Sequence, residues 1–330
     1  MGMIMKFGIV PKEWNDFLVE AIEQAKLAEK LGFHSIWIEE HHSNKDYLPS
    51  PLMALAALSQ HVPSLYVGTA VAVLPLYHPV RFAEDAAILD IVTNGRFIAG
   101  IGSGYRVNEF NAYNVPLKKK GEILEEALEI IINLWEGKKV TYNGKYFKVI
   151  EFKLEPKPKQ KPRPPIWIGG WSKKAIERAA KFGDRWFPGP VGTLSTVLKG
   201  KEIYMEALRK IGKKFTGITL MRDTYVAPTE DEAIKDAEKA LMHMYSEDYA
   251  RSGHPLLRES KESFQEWMAD RFFVGTPEQI IDIIAHLQKE GFDYIIFRVS
   301  LRGLPHRKVL SCIRILGEKV LPYFAEEERK

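Results

Sequence analysis

Residues 67–115 read VGTAVAVLPLYHPVRFAEDAAILDIVTNGRFIAGIGSGYRVNEFNAYNV. An apolar run, Leu65–Val73, predicts a strand, and Pro79–Val92 predicts a helix. A second apolar run, Arg96–Ile101, then ends in Gly102-Ser103-Gly104. Just upstream, Ser35–Glu39 runs into Glu40-His41-His42. Strands that end in reactive or flexible residues, separated by helices, describe parallel βα units. In a parallel barrel such strand ends are where the active site gathers.

The same rhythm extends in both directions. Met5–Val10 predicts a first strand, and Asp16–Leu31 a helix with Leu18, Ala21, Ile22, Ala25 and Ala28 on one face. Pro51–Gln60 and Lys119–Leu134 predict further helices, the second with Ile123, Leu124, Ala127, Leu128, Ile131 and Leu134 at core spacing. Asn143-Gly144, between two short apolar runs, predicts a two-residue type I′ hairpin. The Pro- and Lys-rich segment 155–165 reads as a linker or as an extended surface loop; the prompt return of the alternation favours the loop. Strands are then predicted at Pro165–Ile168, Asp184–Phe187, Ile218–Val226 and Asp293–Arg298, with helices at Lys173–Phe182, Leu194–Ile211 and Pro305–Phe324. Thr229-Glu230-Asp231-Glu232 and Thr276-Pro277-Glu278-Gln279 have the spacing of capping boxes.

Eight strand–helix units predict an α/β fold, a (β/α)8 TIM barrel. It would form one domain over residues 1–330, with insertions at roughly 138–165 and 243–270. The competitor is a doubly wound open sheet, which would place a glycine-rich phosphate turn after the first strand. Val10-Pro11-Lys12-Glu13 is no such turn.

Composition narrows the function. The chain has 330 residues, 45% of them hydrophobic, enough for a large core. A net charge of +4, spread along the chain, gives no nucleic-acid footprint. One cysteine, Cys312, rules out an internal disulfide and suits a reducing cytosol. No secretory leader is visible, and no apolar run approaches the ~20 residues that a membrane-spanning helix needs. The chain is therefore expected to be cytoplasmic.

Each strand end has a chemical and a plain reading. Adjacent histidines on extended backbone point to opposite sides. His41-His42 is thus a poor joint metal ligand; one histidine can move protons at the barrel mouth, or it can be a structural loop histidine. Thr69-Ala70-Val71 lets a flat ring approach the backbone, or simply packs. Gly100 to Tyr105, with Gly102, Ser103 and Gly104, can fold around a ligand or make a tight turn. Tyr105 and Arg106 beside it could stack on a ligand or neutralise it. Gly169-Gly170-Trp171-Ser172 opens a helix that begins Lys173-Lys174. Lysines at a helix amino terminus are unfavourable unless an anion is near, so this run reads as a phosphate seat or as a plain serine cap. A metal-dependent hydrolase would need histidines and carboxylates at several strand ends, and only the second strand offers them.

Glu40-His41-His42, Val67-Gly68-Thr69, Leu74-Pro75, His78-Pro79-Val80-Arg81, Glu84-Asp85, Leu89-Asp90, Gly95-Arg96-Phe97 and Glu109-Phe110 resemble the luciferase-like monooxygenases. The likeness is strong over 35–135 and weak in 190–270. It implies a (β/α)8 barrel holding flavin mononucleotide (FMN) without a covalent link. The FMN would arrive reduced by a separate flavin reductase, and with O2 it would oxygenate a small apolar organic substrate. It implies His41 as the proton-transfer residue and a cis peptide at Ala70–Val71. The implied cofactor surface comprises Glu40, Thr69, Ala70, Val71, Gly102, Ser103, Gly104, Tyr105, Gly169, Gly170, Trp171 and Ser172. The implied substrate pocket comprises Trp14, His78, Arg106 and Glu109. A homodimer through the helices after the second and third strands is also implied. Ser103 stands where luciferases carry a phosphate-binding arginine, with Arg106 and Lys173 as possible substitutes. Other branches use the deazaflavin F-420 for hydride transfer, and one relative binds flavin without turnover. The His-His pair and the long matching block favour the monooxygenase branch.

Overall fold

The computed structural model describes residues 4–13, 17–249, 252–254, 256–257 and 263–326. Eight strands form at Lys6–Val10, Ser35–Ile38, Tyr66–Thr69, Phe97–Gly102, Ile166–Ile168, Arg185–Trp186, Ile218–Val226 and Phe292–Arg298. At least one helix follows each of them. The chain divides into two compact units.

The first unit comprises residues 1–37, 187–202 and 215–330. Its strands lie in the order seventh, eighth, first, second, all parallel. The eighth strand pairs with the first, Lys6 opposite Tyr294 and Val10 opposite Arg298. A barrel joins its first strand to its last in this way, whereas a doubly wound sheet places another strand there. Every residue of Ile218–Val226 and Phe292–Arg298 is buried, as expected of parallel strands covered on both faces. Phe7 stacks on Phe297 with centroids 5.7 Å apart. One strand escaped the sequence reading: Phe273–Gly275 runs beside the seventh. Three residues are too few to show a period.

The second unit comprises residues 38–186 and 203–214. Its strands run in the order third, fourth, fifth, sixth, again parallel. Helix Lys120–Trp135 buries the six apolar residues that the periodicity selected, together with Ile130 and Trp135. The third strand is shorter than expected. It stops at Thr69, the Ala70–Val71 bond is cis, and Ala72–Val73 then pairs separately with Ile101 and Gly102.

The hairpin forms, Lys139–Asn143 against Lys148–Lys153, but not with the expected two-residue turn. The Gly144 amide donates to the Phe147 carbonyl, so four residues separate the strands. The cause lies outside the hairpin: the Glu126 carboxylate accepts from the amides of Lys145, Tyr146 and Phe147 and sets the turn. Segment 155–165 stays within this unit and is a surface loop, not a linker. Gln160 anchors it, donating from its amide and side chain to buried Asp90 and from its side chain to the Phe97 carbonyl.

Of the 243–270 excursion, a π-helical turn at Met244–Tyr249 and a capped helix at Phe264–Asp270 are described. The closing helix also carries a π-helical turn, Leu316–Val320, and a Cβ at Gly317 would lie 2.6 Å from Leu31.

Candidate active site

The second strand ends at Ile38 and delivers Glu40, His41 and His42 in succession. The backbone sends the two histidines to different carboxylates. His41 Nδ1 lies 3.1 Å from Glu109 Oε1, and His42 Nε2 lies 2.8 Å from Glu40 Oε1. The His42 amide also donates to Glu109 Oε1, at 3.0 Å. Glu109 sits on the short helix Val107–Ala112, just past the glycines of the fourth strand.

The two glutamates differ in state. Glu40 is wholly buried and fully engaged. Its Oε2 accepts from the Val73 amide at 3.0 Å and from the Tyr77 hydroxyl at 2.9 Å. Burial, only partly offset by these bonds and by His42, raises its carboxyl above the ordinary 4.5. Burial also acts to raise Glu109. There it is outweighed by the bond and charge of His41, the His42 amide and Arg106, so this carboxyl is held below its usual range. Glu109 is therefore an anion at neutral pH, and its Oε2 is buried with no hydrogen-bond partner among the described residues.

Aromatic rings enclose this anion's neighbours. The His41 ring meets Tyr47 edge-on at 4.6 Å and Tyr105 at 6.0 Å. The buried Arg106 guanidinium lies over the same two rings, 5.5 Å from Tyr47 and 5.8 Å from Tyr105. Its Nη2 is buried without a partner among the described residues. On the other side His42 Nδ1 lies 3.0 Å from the Tyr113 hydroxyl.

The structure thus brings His41, Arg106 and Glu109 together with Tyr105. Glu40 stands one step back, its oxygens taken by protein groups. Thr69 is fully buried, its hydroxyl donating to the Gly100 carbonyl. Gly102 and Gly104 are demanded by packing: a Cβ on Gly102 would meet Val71 at 2.4 Å, and one on Gly104 would meet Val73 at 2.6 Å. Ser103 stands half-buried between them. The Lys120 ammonium donates to the Gly104 carbonyl, and burial, with Arg178 nearby, lowers its pKa.

Gly169 donates its amide to the Ile101 carbonyl. Gly170 accepts from the Trp186 indole, and Trp171 meets Trp186 edge-on at 6.1 Å. Ser172 caps helix Lys173–Phe182, accepting from the Ala175 amide at 3.3 Å, while Lys173 and Lys174 are exposed. The cap leaves the serine O–H as a donor. His78 is exposed and packs edge-on against Phe147 at 5.8 Å, outside the contacts that join His41, Arg106 and Glu109. Trp14 lies outside the described residues.

Sequence reasoning missed Tyr47, Tyr77, Tyr113 and Lys120. Tyr113 sits four residues after Glu109, a helical spacing that could have been read. Tyr47 lies in an irregular loop with no period to betray it. Among the described residues no three His, Cys, Asp or Glu side chains gather as a metal site, and no helix is long and apolar enough to cross a membrane.

Residues 8–294 match the profile of the family described as luciferase-like monooxygenase. The oxygenase component of the flavin-dependent trigonelline monooxygenase of Acinetobacter baylyi is 27% identical over 94% of this chain and 90% of its own. The F420-dependent glucose-6-phosphate dehydrogenase of Microbacterium testaceum is 28% identical over 92% of each. A monooxygenase from Streptomyces bottropensis superimposes with a TM-score of 0.86, at 24% identity, over 97% of this chain and all of the other. That likeness shows the fold, a (β/α)8 barrel.

Proposed function

The chain belongs to the luciferase-like monooxygenase family, whose relatives include flavin monooxygenases and F420-dependent oxidoreductases, and from that premise we propose that it is a flavin-dependent monooxygenase. It would take reduced FMN from a separate reductase and, with O2, oxygenate a small organic substrate. The observation that carries this reading is the bond between His41 and a carboxylate held ionised. An acceptor on Nδ1 fixes that nitrogen as the N–H and makes Nε2 the basic one. His41 can then take or return a proton beside a ligand.

The residues present fit a flavin. The side chains of Ala70 and Val71, just past the third strand, are small enough to let a flat ring approach the backbone. The Ser172 hydroxyl, the free amides of helix Lys173–Phe182 and the exposed Lys173 suit a phosphate. Lys120, which donates to the Gly104 carbonyl, brings a cation to the loop where Ser103 replaces the luciferase arginine. Bound reduced FMN would supply two electrons for O2. The protein's part is to hold the ring, exclude water with Tyr47 and Tyr105, and move the proton through His41.

A second reading is hydride transfer with F-420. The Microbacterium testaceum relative and the missing arginine at Ser103 favour it. Parallel titrations with FMN and F-420 separate the two. The reduced FMN complex is then offered labelled O2 and a panel of aldehydes and aromatic compounds. One labelled oxygen atom in a product supports the monooxygenase. Binding of F-420 alone, with no oxygen uptake, overturns it in favour of the second reading. Binding of FMN without turnover on any panel member would leave a flavin-binding protein.

A further inference from the structure

Two buried atoms in the His41 group lack partners among the described residues, and they are opposite in kind. Arg106 Nη2 is a donor and Glu109 Oε2 is an acceptor. A buried polar atom left unsatisfied costs about 1–3 kcal/mol, more for a charged group. The simplest remedy would be an ion pair between the two side chains, and they form none. Each is held elsewhere. Glu109 Oε1 is fixed by His41 Nδ1 at 3.1 Å and the His42 amide at 3.0 Å, and Arg106 rests over Tyr47 and Tyr105.

Ligand chemistry can be sorted against this pair. A carboxylate would satisfy Arg106 but would be repelled by Glu109, which is already ionised. An ammonium group would satisfy Glu109 and be repelled by Arg106. A group that accepts and donates side by side meets both demands without a charge penalty. The flanking rings of Tyr47, Tyr105 and His41 favour a planar one. We propose that Arg106 and Glu109 together form a recognition site for the edge of a flat heterocycle carrying a carbonyl next to an N–H, as in a lactam or an imide. The carbonyl would accept from Arg106 Nη2 and the N–H would donate to Glu109 Oε2. Such an edge can come from the organic substrate or from the dione ring of a flavin.

The test uses 2-quinolinone, which carries the edge, N-methyl-2-quinolinone, which lacks the donor, and quinoline, which lacks both the carbonyl and the N–H. Each is titrated calorimetrically into the full chain, with and without saturating FMN. Lumiflavin and 3-methyllumiflavin form the second arm. A lost bond to a charged partner should weaken binding roughly 10- to 150-fold. The expected result is that order of loss on methylation in at least one arm, with a comparable loss in Arg106→Met and Glu109→Gln. Arg106→Lys, which keeps the charge, serves if the methionine variant does not fold. If 2-quinolinone still binds with FMN present, the substrate brings the edge. If flavin displaces it and methylation weakens lumiflavin, the cofactor does. Binding that ignores methylation in both arms, or ignores both substitutions, overturns the proposal and leaves a water molecule between the two side chains. The edge belongs to the proposed redox site, yet the two readings fail separately: a chain that discriminates the quinolinones and binds no flavin keeps the edge and loses the flavoenzyme.

Discussion

Two buried polar clusters of this chain are finished to different degrees. In the first unit Asp223 of the seventh strand uses both oxygens, one on Arg298 Nε and one on the Tyr245 hydroxyl at 2.7 Å. Arg298 continues to the Tyr249 hydroxyl at 2.6 Å. Tyr245 is packed edge-on against Phe272 at 4.9 Å and tilted against Trp267 at 5.1 Å. Close by, Arg222 Nη2 is a buried donor without a partner among the described residues. In the second unit the Glu109 carboxylate is half-used, and the leftover atoms come as a donor and an acceptor. A carboxylate bonded on both oxygens holds a structure together. One bonded on a single oxygen, beside a histidine and an unpaired guanidinium nitrogen, has capacity for a ligand.

The largest effect should come from breaking the finished cluster. Asp223→Ala leaves the Arg298 guanidinium buried without its carboxylate. Removing one partner of a buried pair costs about 3–5 kcal/mol, and urea unfolding would read it directly. A loss under about 1 kcal/mol would mean that solvent reaches Arg298 and that the two clusters are alike. The half-used cluster should respond in the other currency. His41→Ala should lower product formation by about 10²–10⁴-fold, the usual worth of a positioned proton-transfer group. Its unfolding midpoint should fall less than that of Asp223→Ala, because the His42 amide still holds Glu109 Oε1. Normal product yield from this variant, measured with FMN affinity unchanged, would remove His41 from the mechanism.

Why was so much of the scaffold readable in advance, and the pocket only in part? Periodic burial writes itself into sequence. The helix Lys120–Trp135 and the strand Ile218–Val226 were visible because every third or fourth residue, or every residue, must leave water. The strand ends at Glu40-His41-His42 and Gly102 to Arg106 were visible because barrel chemistry has a fixed address. Contacts made across distance in the chain were not. Glu126 decides the hairpin turn from another element, and no local propensity of Asn143-Gly144 could announce it. Tyr47, Tyr77 and Lys120 reach the site from loops and a helix start, where no period applies. The glycines also changed meaning. Gly102 and Gly104 looked like a ligand cradle, and the structure shows first of all that Val71, Val73 and Phe110 leave no room for a Cβ.

The smallest effect belongs to the pair that backs the half-used cluster. Burial by itself would lower His42, but the bond and charge of Glu40, aided by Glu109, outweigh it, and His42 is raised above its ordinary 6.5. Glu40 is raised too, by burial foremost. These two groups titrate as one coupled system, and both shifts have the same sign: the folded chain binds protons more tightly than the unfolded chain. The stability contributed by His42 is therefore complete below pH 6.5 and is lost as the pH climbs through its higher folded value. Urea midpoints measured from pH 6 upward should fall in the parent chain and fall less steeply in His42→Gln. The difference between the two slopes isolates the contribution of His42. Identical slopes would mean that Glu40 holds no extra proton on His42. The loop would then be kept in place by the Val73 and Tyr77 bonds alone, and the carboxylate behind the site would be as complete, and as indifferent to pH, as a purely structural one.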